Sequence, residues 1–68
     1  MAVINLREDF IKLGQALKAA GFVESGASAK EEIISGKVKV NGNTEIQRGK
    51  KLYSGDIVEY NNKKIEIK

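Results

Sequence analysis

The side chains of this chain that could do chemistry are mostly cations. The densest run is Arg48-Gly49-Lys50-Lys51, with Lys37 and Lys39 upstream. A guanidinium offers a planar fork for bidentate contact with an oxyanion, and ammonium groups add point charges beside it. Such a cluster is the footprint of a surface that meets phosphates, although a solvated lysine-rich surface has the same composition. Residues 1–34 hold four basic and five acidic side chains, whereas residues 35–68 hold eight and four. The net charge of +3 therefore sits in the second half. There is no His and no Cys. The commonest general base, the commonest transition-metal ligand and the thiolate nucleophile are all missing. Asp56, after Gly55, reads as a turn residue whose carboxylate bonds nearby backbone N–H groups. No enzyme, cofactor or metal site is expected.

These cations must be positioned by a small scaffold. Sixty-eight residues make one domain, spanning 1–68, with a thin core. Hydrophobic residues at 41% and charged residues at 31% fit a folded soluble chain. No apolar run approaches the roughly 18 residues that cross a bilayer. Acids stand near the start, where a signal peptide would be apolar, so a cytoplasmic location is expected.

Val3, Ile4 and Leu6 suit a short strand, and Phe10–Leu13 a second extended piece. Leu13, Ala16, Leu17 and Ala20 fall on one helical face, stopped by Gly21. Ser25 reads as the N-cap of a second helix, with Ala29 and Ile33 apolar, Ile34 beside them, and Gly36 at its end. The period then changes to two. Val38 and Val40 alternate with lysines, and Asn41-Gly42 marks a tight hairpin turn. Thr44, Glu45 and Ile46 are the expected return strand. Ile57, Val58 and Tyr60 follow the Ser54-Gly55-Asp56 turn. After a turn at Asn61-Asn62, Ile65 and Ile67 alternate with charged residues. The expected fold class is α+β, with two short helices packed on a small, mostly antiparallel sheet.

The ordered set Ser25-Gly26-Ala27-Ser28-Ala29-Lys30, Ile33, Gly36, Val38, Val40, Asn41-Gly42 and Gly55-Asp56-Ile57-Val58 resembles the RNA-binding domain named after ribosomal small-subunit protein S-four, the αL motif. Leu13 and Leu17 match the leucines of its first helix, and the resemblance covers about residues 10–60. The segments Glu24–Lys30 and Arg48–Leu52 are similar to the stand-alone bacterial subgroup typified by YaaA and YbcJ. That subgroup often adds strands at both ends. Two positions depart from the broad pattern. Gly26 stands where Arg is usual, and Lys12-Leu13-Gly14 replaces an Arg-Leu-Asp-like element. Either the 48–51 loop carries more of the binding, or the partner differs.

Charge and resemblance together give a set of expected RNA contacts. Arg48, Lys50 and Lys51 would meet phosphates from a loop. The resemblance implies a basic residue facing RNA at Lys30, which has no acid at positions 26 or 34 to pair with. Ser25 reads mainly as a cap, Ser28 as a phosphate donor or a first-turn residue, and Gly26 as a point of close backbone approach. Lys12 lies near the family's basic position, with Gln15 beside it on the polar side of the first helix. Lys18 reads as solvated. Lys37 and Lys39 flank Val38 on the outer strand face, and Asn41 opens the turn, so their face would join the helical one across a groove. The four aromatics suit a core more than a stacking platform, which favours structured RNA read by shape and backbone.

The resemblance implies a non-catalytic, monomeric module that docks its helical pair and basic loop on structured RNA, either rRNA or tRNA. The ribosome is a candidate host, and no membrane is involved. The alternative is a protein-interaction or assembly module that kept the fold and lost part of the RNA site. Exposed Phe22 or Tyr53 would then serve as its anchor.

Overall fold

The computed structural model describes all 68 residues. In chain order the elements are β1 (Ala2–Ile4), β2 (Ile11–Lys12), α1 (Leu13–Ala19), α2 (Gly26–Ile34), β3 (Val38–Val40), β4 (Asn43–Thr44), β5 (Lys51–Leu52), β6 (Ile57–Tyr60) and β7 (Lys63–Ile67). Five strands form one sheet in the order β1-β7-β6-β3-β4. All its neighbours are antiparallel except β1 and β7, so the two ends of the chain lie side by side. Strands β2 and β5 form a separate two-stranded ribbon. The expected α+β arrangement of two short helices on a mostly antiparallel sheet is the one observed.

The core follows from the two periodicities. Helix α1 buries Leu13, Ala16 and Leu17, and α2 buries Ala29 and Ile33. Val38, Val40, Val58, Ile65 and Ile67 meet them from the sheet, and Leu52 from the ribbon. With Gly14, these eleven are the only buried residues. Truncating one large member to Ala costs about 2–5 kcal/mol. Against a total stability of roughly 5–15 kcal/mol, each is a large share.

Local signals set the ends. Ser25 Oγ accepts the Ser28 N–H at 3.1 Å and so caps α2, leaving Gly26 as the first helical residue. Asn41 and Gly42 both have positive φ, 51° and 85°, as a two-residue hairpin loop of this twist requires. Asn61 and Asn62 do the same between β6 and β7, at 54° and 64°.

Several local expectations change. The return strand after Asn41-Gly42 is Asn43–Thr44, because the short loop places Asn43 opposite Val40. Glu45 still donates to the Val38 carbonyl at 3.0 Å, but the chain then leaves the sheet and Ile46 is exposed. Ile34, one helical step beyond buried Ile33, rotates away from the core and is exposed. The first strand is Ala2–Ile4. Leu6 lies beyond it and donates its N–H to the Lys68 carbonyl at 2.7 Å. Lys51 is a strand residue rather than a loop residue, because Lys51 and Leu52 pair with Lys12 and Ile11.

Candidate functional site

The ribbon continues directly into α1 and fixes the 48–50 segment against it. Leu13 donates its N–H to the Lys50 carbonyl at 2.8 Å, and Gly14 to the Arg48 carbonyl at 3.1 Å. Helix α1 therefore starts with two backbone donors satisfied by a segment more than thirty residues away in the chain. Gln15 Oε1 accepts the Lys12 N–H at 3.2 Å, the reach-back half of a capping box. Lysine has no acceptor to supply the other half.

This junction encloses a cleft of about 300 Å³ between α1, the start of α2 and the 48–49 turn. Lys12, Lys18 and Arg48 supply charge, Gln15 an amide, and Gly26 and Gly49 open backbone, with Gly14 covered by Arg48. No acid lines it. The one ion pair in the molecule joins Lys37 to Glu32 at 3.4 Å, so no carboxylate neutralises the cleft cations. A concave surface of one charge sign concentrates its potential and attracts counterions. Lys12 also stands directly opposite Lys51 in the ribbon. Like charges so placed repel and destabilise the pairing unless an anion lies between them. Lys51 Nζ lies 4.7 Å from the Phe10 ring centroid, which offsets part of that cost.

The expected contact residues divide among several surfaces. Lys12, Gln15 and Arg48 meet in the cleft, with Ser25 at its edge as the cap of α2. The Ser28 hydroxyl lies 3.2 Å from that of Ser25 and is half-buried. Lys30 is exposed on the flank of α2 formed with Ala27, Glu31 and Ile34. Lys50 and Lys51 line a neighbouring groove with Asn41 and Tyr53. Lys37 lies elsewhere, with Glu32, Tyr60 and Asn61. Lys39 is exposed on the outer sheet face, level with Glu59 and Thr44.

Asn41 is occupied structurally at both ends of its amide. Its Nδ2 donates to Asp56 Oδ1 at 3.0 Å, and its Oδ1 accepts the Ile57 N–H at 2.9 Å. Asp56 Oδ2 takes the Tyr53 N–H at 2.8 Å, the carboxylate-to-backbone bond expected of this turn. Between β6 and α2, the Tyr60 hydroxyl donates to Glu32 Oε1. That bond, opposed by partial burial and aided by Lys37, holds the Glu32 carboxyl below its ordinary pKa. The same bond, with burial and the Glu32 charge, pushes the Tyr60 phenol up.

Sequence reading missed two members of the cleft. Lys18 reads as solvated, yet it lines the cleft with Gly14 and Gln15. Its spacing of four from Gly14 and three from Gln15 carries the signal, since such positions share a helical face. Gly14 itself is buried beneath Arg48, and a Cβ there would lie 2.7 Å from Arg48 Cγ. No single-residue pattern announces that proximity.

The chain belongs to the S4 domain family, whose model matches residues 4–68. It is similar to RlbA of Bacillus subtilis (strain 168), provisionally named a ribosome maturation protein. The two are 43% identical over 56 residues, covering 82% of this chain and 79% of that one. It is also 34% identical over 68 residues to YbcJ of Escherichia coli (strain K12), provisionally named an RNA-binding protein, covering 98% and 97% of the two chains. The expectation of a domain of the S-four type therefore holds.

Proposed function

We propose that the protein is a non-catalytic RNA-binding module that reads the backbone of structured RNA with the α1–α2–Arg48 cleft. The observation that carries this reading is the acid-free cleft holding Lys12, Lys18 and Arg48 beside three glycines. Three unpaired cations suit phosphates, and at exposed Gly26 and Gly49 a sugar–phosphate chain can approach the protein backbone. Gly26, where the broader family has Arg, opens the cleft wall while Arg48 supplies a guanidinium from the other side. Family membership and the names of the two relatives support the RNA reading. Ribosomal RNA is the first RNA to try, given the ribosome-maturation name of one relative, with tRNA second. Ser25, Ser28, Lys30, Lys50 and Lys51 would contact RNA from the surfaces flanking the cleft. Lys37 and Lys39 lie further out, and Asn41, in the groove with Lys50 and Lys51, has its amide already bonded at both ends, so these three would contribute least.

The test is a salt titration of binding to purified rRNA and tRNA, with duplex DNA as competitor. Binding to RNA that outcompetes DNA and falls steeply with salt is expected. Replacing Lys12, Lys18 and Arg48 together by Ala should flatten the log–log slope by about 0.7–0.9 for each phosphate no longer neutralised. No binding at low salt, where cations are least screened, would overturn the reading. An unchanged slope in a folded triple variant would overturn the assignment of the cleft.

A further inference from the structure

Next to the cleft lies a groove of different chemistry. It has a volume of about 340 Å³ and carries both signs of charge, with Lys50 and Lys51 alongside Glu45 and Asp56. Its aromatic member is Tyr53, half of whose surface is exposed (50%), unlike the other three aromatics, which are all partly buried. The backbone under Tyr53 is fixed, since its N–H is held by Asp56 Oδ2 and it directly follows β5. Phe10 braces the ring, with centroids 6.2 Å apart and planes tilted by 54°. Lys51 is anchored on the other partner of that pair, over Phe10.

We propose that Tyr53 is a stacking platform for one unpaired nucleotide of the RNA that occupies the cleft. The inference rests on the RNA reading above and adds a single-stranded element to its target. A rigid exposed ring offers a face on which any base can stack, and little ordering entropy is lost in using it. The carboxylates of Glu45 and Asp56 disfavour a phosphate beside them but tolerate a neutral base, which leaves any phosphate to the lysines of the groove. Lys50 and Lys51 then meet the phosphate joining that base to the segment in the cleft, because Arg48 and Lys51 lie on one short stretch of chain. A helical RNA alone would leave the platform empty, since paired bases are already stacked.

The experiment compares a blunt RNA hairpin with the same hairpin carrying an unpaired tail of adenosines, at one salt concentration. The proteins are the intact wild type, Tyr53→Ala and Tyr53→Phe, each checked for folding by thermal unfolding. The tail should tighten wild-type and Tyr53→Phe binding by about fivefold or more, the effect typical of one stacked base. Tyr53→Ala should lose that gain and keep wild-type affinity for the blunt hairpin. Equal wild-type affinity for both RNAs overturns the proposal and leaves the RNA reading standing. Equal loss on both RNAs in Tyr53→Ala also overturns it. Failure of the wild type to bind either RNA overturns the RNA reading itself.

Discussion

Gly14 leaves the space that the stem of Arg48 fills. A Cβ at Gly14 would stand 2.7 Å from Arg48 Cγ and 3.3 Å from its Cδ. The glycine also donates its N–H to the Arg48 carbonyl at 3.1 Å, so backbone and side chain of Arg48 are both seated on α1. Gly14→Ala should therefore displace the guanidinium without unfolding the domain. Alanine gains about 1 kcal/mol of helix propensity, and the displaced stem costs about 1–3 kcal/mol. The net change in stability should be a loss of no more than about 2 kcal/mol, read by denaturant unfolding. RNA affinity should fall as far as it does in Arg48→Ala. Full affinity in Gly14→Ala would show that the seat of Arg48 is not what positions its charge.

Lys18 and Lys37 should behave oppositely, although both are lysines near a helix. Lys18 lines the cleft with no acid beside it, whereas Lys37 is paired with Glu32 at 3.4 Å and faces another hollow. Lys18→Ala should weaken RNA binding evenly across RNA sequences and reduce the salt slope by about 0.7–0.9. Lys37→Ala should leave the slope unchanged and alter stability by no more than about 1 kcal/mol. A salt titration of the two variants decides this. Equal slopes would move the interface toward the Glu32 side of α2.

What could be read from the sequence was local. Leu13, Ala16 and Leu17 share a helical face, Ser25 is a cap, and Asn41-Gly42 and Asn61-Asn62 are turns because their positive φ values suit those residues. The β2–β5 ribbon was not legible. Two residues on each side carry no periodicity, and the bonds that fix it join Leu13 and Gly14 to Lys50 and Arg48 across a long stretch of chain. The parallel pairing of β1 with β7 escaped for the same reason. The basic run at 48–51 was visible, but its division was not. Arg48 enters the cleft while Lys50 and Lys51 enter the next groove, because Arg48 sits inside the turn closed by the Lys50 N–H and the Gln47 carbonyl at 3.2 Å, and the chain leaves that turn into β5. Aromatic content suits a core for most of the rings, and only the alternative interaction reading leaves Tyr53 exposed. Its exposure follows from buried Leu52 taking the inward position of β5.

Asn41 holds the turn for reasons of fold. Its backbone has φ 51°, and its amide ties Asp56 to the Ile57 N–H. Asn41→Ala would lose two hydrogen bonds at about 0.5–1.5 kcal/mol each and place a less tolerant residue in the left-handed region for about 1 kcal/mol more. The expected loss is about 2–4 kcal/mol, or a fall in Tm of roughly 10 °C or more for a domain of this size. Asn41→Gly restores the backbone freedom and should recover part of the loss. Thermal unfolding of both variants checks the order. Equal Tm values would mean that the turn conformation costs alanine nothing.

The bond between Tyr60 and Glu32 links α2 to β6 and makes stability depend on pH from both sides. The folded-state pKa of Glu32 is depressed, chiefly by the Tyr60 hydrogen bond. Its contribution is therefore complete above the unfolded carboxyl pKa of about 4.3 and is lost as pH falls through the lower folded value. The folded-state pKa of Tyr60 is raised, chiefly by the same bond. Its contribution is complete below the unfolded phenol pKa of about 10 and is lost as pH rises through the higher folded value. Tyr60→Phe removes the donor and keeps the ring that stacks on Phe22, whose centroid lies 6.3 Å away. That variant should be less stable than the wild type across the neutral range, and the two curves should converge at both extremes. Denaturant unfolding from acid to alkaline pH reads the difference directly. Parallel curves, separated equally at every pH, would show that the phenol contributes packing and no proton-linked bond.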